Sequence, residues 1–123
     1  MNPSDRIEIK DLLLRGIVGV NESERRKRQD ILVNVTMTAD TRPAAAADTL
    51  DGAVNYRTVS KQIIALVESS EFQTVERLAA EIARQVVTGH PVQEVVVTVE
   101  KPGALRFARS VGVTIVRRPE DFR

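Results

Sequence analysis

Ile31-Leu-Val-Asn-Val-Thr-Met-Thr-Ala39 decides the fold. Ile31, Val33, Val35, Met37 and Ala39 fall on one side of an extended chain, and Leu32, Asn34, Thr36 and Thr38 on the other. That is the two-residue period of a strand with one face packed. Toward the N-terminus, Arg6-Ile-Glu-Ile-Lys10 alternates in the same way and runs into Leu12-Leu-Leu14. This predicts a first strand that becomes buried on both faces, with residues 16–20 extending or bending it. Residues 21–29, rich in charge, read as a loop between the two strands. Beyond Ala39, residues 42–52 break the periodicity and read as a long connection whose alanines could form a helical turn.

Further along, Asn55 is placed as an N-cap, followed at helical spacing by Val59, Ile63 and Val67 with Ile64 and Leu66 alongside, as far as Glu68. A second helix is predicted from about Gln73, with Val75, Leu78, Ala79, Ile82 and Val86 inward and Gly89 ending it. Val95, Val97 and Val99 then alternate with Val96, Thr98 and Glu100 until Lys101-Pro102-Gly103 breaks the strand, and residues 111–116 form the last one. The order ββααββ, with helices grouped in the middle, predicts an α+β fold: a four-stranded antiparallel sheet with two helices on one face. Such a sheet has two open edges and one uncovered face. Because Leu32, Asn34, Thr36 and Thr38 make that face mixed rather than plainly polar, subunits are expected to close their sheets into a shared barrel.

At 123 residues the chain fits one domain, 1–123, without an internal boundary. Hydrophobic residues at 42% and charged residues at 28% give a globular balance, and no apolar run approaches the roughly 20 residues of a membrane span. Met1-Asn-Pro-Ser-Asp-Arg6 is polar and carries no leader pattern, so the expected address is the cytoplasm. Zero cysteines exclude disulfides, thiolate nucleophiles and cysteine metal sites, and the single histidine, His90, cannot build a His-rich zinc site. A carboxylate-bound Mg²⁺ site stays open. A net charge of +1 and 3% aromatic residues argue against a nucleic-acid binder.

Chemistry must therefore run on lysine, tyrosine and carboxylate. Lys101 ends a strand beside a Pro-Gly turn, where it could overhang a pocket; most such lysines are solvated, and acid–base work would require partial burial. Glu76, in the first turn of the second helix, suits the positive end of the helix dipole, yet could also accept two N–H bonds from a guanidine-like ring edge. Tyr56, the only tyrosine, reads as an edge-of-core residue that would relay protons if it faced a pocket. Glu24 lies in the charged loop, where solvation is the simple reading, and the Arg25–Arg28 run beside it is ordinary surface unless phosphate is bound. Arg106 and Arg109, flanking Phe107 after the Lys101 turn, are better candidates for a polyanion contact; His90 reads as a helix-end residue. No Walker loop, GxGxxG or Ser-His-Asp constellation is present.

Four segments join these residues: Gly19-Val-Asn-Glu-Ser-Glu-Arg-Arg-Lys-Arg-Gln29, Val54-Asn-Tyr-Arg-Thr-Val59, Phe72-Gln-Thr-Val-Glu-Arg-Leu-Ala79 and Val99-Glu-Lys-Pro-Gly-Ala104. Together and in register, from Ile7 to about Arg117, they resemble the dihydroneopterin aldolase family. Arg28-Gln-Asp-Ile31, Asn55-Tyr-Arg-Thr-Val59 and Ala104-Leu-Arg-Phe-Ala108 also resemble its sister branch, dihydroneopterin triphosphate 2′-epimerase. The resemblance implies a tunnelling fold, a homo-oligomer (tetramer or octamer) with active sites between subunits, and no cofactor. It also implies roles: Glu76 anchoring the pterin's amino-pyrimidine edge with the backbone beside Val75, Glu24 as a further substrate contact, Lys101 as general acid and base, and Tyr56 of a neighbouring chain handling the 2′-hydroxyl proton. One departure stands out, since aldolases commonly carry an aromatic or His near residues 16–19, where this chain has Ile17 and Val18.

The implied reaction suits this residue set. In retro-aldol cleavage of 7,8-dihydroneopterin the electrons of the breaking C1′–C2′ bond flow into the ring's own imine, so the protein need only move protons and hold the ring. The products would be 6-hydroxymethyl-7,8-dihydropterin and glycolaldehyde; re-addition to the other aldehyde face gives the 2′-epimer. The alternatives are an epimerase acting on the triphosphate, which needs several cationic donors, and a non-catalytic pterin-binding protein.

Overall fold

The structure, a computed structural model, describes residues 4–123; the start of the polar N-terminal stretch, residues 1–3, lies outside the described residues. In chain order the elements are β1 (Asp5–Gly16), α1 (Glu22–Arg26), β2 (Gln29–Ala39), α2 (Arg42–Ala47), α3 (Tyr56–Ser69), α4 (Val75–Gly89), β3 (Glu94–Pro102), β4 (Ser110–Arg117) and a closing 3₁₀ turn, Pro119–Phe122. The strands form one antiparallel sheet in the order β1-β2-β3-β4. Helix α3 packs over β1 and α4 over β3 and β4, so both long helices share one face, as the grouping of the elements predicts.

The core is the meeting of two periodicities. Ile31, Val33, Val35, Met37 and Ala39 of β2 and Val95, Val97 and Val99 of β3 are buried under Val59, Ile63 and Val67 of α3 and Leu78, Ala79, Ile82 and Val86 of α4. Each such side chain removed from water contributes roughly 1.5–3 kcal/mol, which holds the two layers together. Ala83 and Val87 also face inward, whereas Val75 is only half-buried. The helices begin where their caps dictate: the Asn55 side chain accepts the amides of Arg57 (3.1 Å) and Thr58 (3.3 Å), and Thr74 Oγ1 accepts that of Arg77 (3.1 Å).

Three expectations change, and one open possibility is realised. β1 is not buried on both faces: its pairing slips by one residue between Ile9 and Leu12, with Asp11 at φ 55°, a β-bulge whose displaced Asp11 N–H donates to Asn34 Oδ1 at 2.8 Å. The slip turns Leu12 and Leu14 toward the helices and leaves Leu13 59% exposed. The charged loop contains α1, a helix too short to show apolar periodicity but nucleated by Asn21, whose Oδ1 accepts from the Glu24 amide (3.0 Å) and Ser23 Oγ (2.9 Å). The alanines do form a helix, α2, closed by Asp48 in the left-handed conformation. Finally, β3 is not broken at Lys101; it pairs through Pro102 with Ser110, and the reversal falls at Gly103, φ 72°. The face opposite the helices carries half-buried Leu32, Asn34, Thr36 and Thr38 and the Thr98–Thr114 hydroxyl pair at 2.8 Å. Among the described residues no helix is long and apolar enough to cross a membrane.

Candidate active site

Every second residue of β3 points toward the helices, so Val95, Val97 and Val99 lead in phase to Lys101, where the helix layer ends and the sheet runs on. There the sheet, the N-terminus of α4 and the residues after β1 enclose a cleft of about 330 Å³, within the range of small-molecule sites. Glu24, Val75, Glu76 and Lys101 line it, with Gly19, Val20, Gln73, Thr74 and Val111 to Val113. Residues far apart in sequence are thus brought to one wall.

Lys101 Nζ donates to Glu24 Oε2 at 2.6 Å, with side chains only 14% and 24% exposed. That hydrogen bond, more than the charge attraction, holds the Glu24 carboxyl below its usual range against the opposing effect of burial; backbone hydrogen bonds from residues 20 and 21 act in the same direction. Glu24 therefore sits as a carboxylate. Gly19 makes room for it: at φ 152°, a Cβ there would meet Glu24 side-chain atoms at 2.3–2.6 Å. Gly112 serves the other wall, because a Cβ on it would lie 2.2 Å from the Val99 carbonyl. Across the cleft Glu76 occupies the first turn of α4, exposed, with the positive end of the helix dipole behind it. The following residue turns away, Arg77 pairing with Glu81 at 3.1 Å and lying 5.3 Å over the Phe72 ring. One lysine–carboxylate pair thus faces one free carboxylate, an arrangement able to shuttle a proton at one end of a bound ring and accept N–H donors at the other.

The remaining candidates lie elsewhere. Tyr56, 60% exposed, lines a separate cavity of about 390 Å³ with Ile7, Ala39, Leu50, Val54 and Gln93. That cavity is at the far end of β3, roughly 25 Å from Lys101 along the strand at about 3.3 Å per residue. Arg109 reaches toward Glu100 at 3.9 Å, on the face away from the helices, and Arg106 lies over Phe107 at 5.5 Å; neither lines the cleft. Of the basic run, Arg26, Lys27 and Arg28 are exposed, Arg26 pairing with Glu22, while Arg25 points inward. His90 caps α4 and bonds Gln62 through Nε2 at 2.7 Å, with burial holding its pKa below the usual value. Among the described residues no three His, Cys, Asp or Glu side chains converge on a metal position. Sequence reasoning missed Gly19 and Gly112, and the signal for the first was present in its spacing from Glu24.

A four-stranded sheet of this topology, two helices on one face and a polar cleft at the strand end, defines a tunnelling-fold subunit. A family profile for dihydroneopterin aldolase (FolB) matches residues 7–116. A dihydroneopterin triphosphate 2′-epimerase of Pseudomonas aeruginosa is 41% identical over 110 residues, covering 89% of each chain. A dihydroneopterin aldolase of Streptomyces coelicolor is 41% identical over 116 residues, covering 92% of this chain and 97% of its own. The crystal structure of E. coli dihydroneopterin aldolase in complex with neopterin superimposes with a TM-score of 0.89 at 30% identity, covering 92% of this chain and 98% of that one. The chain belongs to the dihydroneopterin aldolase family, a family of lyases whose members include enzymes named as 2′-epimerases.

Proposed function

We propose that this chain, as one domain over residues 1–123, is a 7,8-dihydroneopterin aldolase of folate biosynthesis acting in the cytoplasm. The observation that carries the reading is the Lys101–Glu24 pair at 2.6 Å facing the free Glu76 carboxylate across one cleft. Glu76 accepts the amino-pyrimidine N–H groups, helped by the backbone at Val75, and fixes the ring. Glu24 holds Lys101 in place by their hydrogen bond and contacts the substrate side chain. The 2′-hydroxyl loses its proton, the C1′–C2′ bond breaks, and glycolaldehyde leaves as the electron pair moves into the ring imine. Lys101 delivers the proton that the ring nitrogen then needs; a proton is next added at C1′ as the ring nitrogen returns its own to Lys101, which restores the imine, and the proton gained at C1′ balances the one lost from the 2′-hydroxyl.

Tyr56 of a second subunit relays the 2′-hydroxyl proton, its phenol passing on its own proton as it accepts that one. Supporting this is distance, since a tyrosine at the far end of β3 cannot reach a pterin held at Lys101 of its own chain. Two open edges, β1 and β4, and a mixed uncovered face favour the ring-shaped oligomer, a tetramer or a stacked octamer, that such a shared site requires. A monomer by light scattering at micromolar concentration would overturn it.

The epimerase reading has the 41% identity to the Pseudomonas aeruginosa enzyme in its favour. Against a triphosphate, the ionisable residues lining the cleft are Glu24, Glu76 and Lys101, and Arg106 and Arg109 are turned elsewhere. Assaying dihydroneopterin and its triphosphate side by side decides: glycolaldehyde release from the unphosphorylated substrate is expected. Pterin binding without any turnover would leave only the non-catalytic reading.

A further inference from the structure

Arg25 stands apart from the rest of the basic run. Its guanidinium is half-buried, and Nη1 donates to three backbone carbonyls: Glu71 at 2.5 Å, Phe72 at 3.3 Å and Gly19 at 3.4 Å. Those acceptors belong to two different segments. Gly19 precedes Val20 and the helix that carries Glu24; Glu71 and Phe72 lead directly into residues 73–76, the opposite wall that ends in Glu76. The Gly19 amide adds a backbone bond to the Phe72 carbonyl at 3.2 Å, so the two walls are joined at this single point beneath the cleft. A charged group holding neutral carbonyls makes hydrogen bonds stronger than neutral ones; Nη1 has two N–H groups, so the bond to Glu71 is the short one and the longer contacts to Phe72 and Gly19 include a shared hydrogen, together linking the two segments.

We propose that Arg25 is a positioning residue that fixes the span of the cleft, setting the separation between the Glu24–Lys101 pair and Glu76. This rests on the proposed pterin site. A ring held at one edge by Glu76 and at its side chain by Glu24 and Lys101 fits only one wall separation, so loosening the tether costs ground-state binding first and the proton transfer at Lys101 second.

The test compares the wild type with Arg25→Met, which keeps the aliphatic stem but removes every donor, and Arg25→Lys, whose ammonium can reach part of the same carbonyls. Steady-state kinetics on dihydroneopterin should show KM for Arg25→Met raised about tenfold with kcat within about threefold, and Arg25→Lys recovering part of the loss. Amide exchange at Gly19 should quicken about tenfold in Arg25→Met, since the connecting segment that carries its acceptor, the Phe72 carbonyl, is released. An unchanged KM with only a lowered melting temperature, or unchanged exchange at Gly19, overturns the proposal. Should Arg25→Met fail to fold, Arg25→Lys alone must still show the raised KM. If the wild type itself does not turn over dihydroneopterin, the proposed function fails while the exchange arm still judges the tether.

Discussion

The cleft at Lys101 and the cavity at Tyr56 lie at opposite ends of β3 and differ in what each can do alone. At the C-terminal end of β3, Lys101, Glu24 and Glu76 converge on one cleft, tied by an ion pair at 2.6 Å. At the other end, the larger cavity is walled by apolar side chains and prolines and offers Tyr56, with its nearest carboxylate, Asp40, already held to a pKa of about 2 chiefly by the hydrogen bond from Arg42. One end holds charges without a phenol and the other a phenol without mobile charge. Strand length forces that split: residues at opposite ends of β3 are held apart by the strand itself.

The largest expected effect tests the charged end. Lys101→Ala should lower glycolaldehyde release about 10³-fold while pterin binding, read by fluorescence titration, persists. Equal loss of binding and turnover would reassign Lys101 to the substrate clamp. Next comes the tyrosine end: Tyr56→Phe should lower kcat about 10²-fold. Mixing it with Lys101→Ala under subunit exchange should restore activity at roughly a quarter of the sites if each site draws on two chains. No recovery, with exchange verified by mass, would mean that the two ends work separately.

A structural change at the charged end should be milder. Gly19→Ala forces a Cβ against Glu24 at a φ that side chains rarely adopt, and should cost about 1–3 kcal/mol in urea unfolding. The same substitution should impair turnover by displacing Glu24 from Lys101. The corresponding change at Gly52, also at positive φ but with open space around it, should show the backbone strain without any clash against Glu24.

The smallest effect concerns pH. His90 and Glu24 both have folded pKa values below their ordinary 6.5 and 4.5. In each case the unfolded chain takes up the proton first on acidification, so stability is complete above the ordinary value and declines below it. The urea midpoint should begin to fall below about pH 6.5 and fall further below about 4.5. His90→Gln should remove the first step and Lys101→Met most of the second, because the Lys101 hydrogen bond is the main cause of the Glu24 shift.

Most of the layer structure was legible because one period per element carried it. Ile31 to Ala39 alternate without interruption, and Asn55 marks a helix start by its capping chemistry, whereas the second long helix starts at Val75 behind the Thr74 cap rather than at about Gln73. The bulge at Asp11 was not legible: Leu12-Leu-Leu14 fits either phase, and the choice rests on an amide that finds Asn34 on the neighbouring strand. α1 escaped notice for a related reason, being held by a cap and by Arg25 rather than by an apolar stripe. Glu24 and Arg25 are adjacent in a run that reads as solvated charge, and only packing separates them from Arg26, Lys27 and Arg28.

Composition and periodicity by themselves determined the α+β class, the antiparallel order and the exclusion of cysteine chemistry, because those follow from which residue types exist and how often they recur. The tertiary structure decided which of those residues meet. Lys101 reaches Glu24 across 77 positions of sequence, and Tyr56 reaches neither, because strand direction and helix packing set distances that local pattern does not encode.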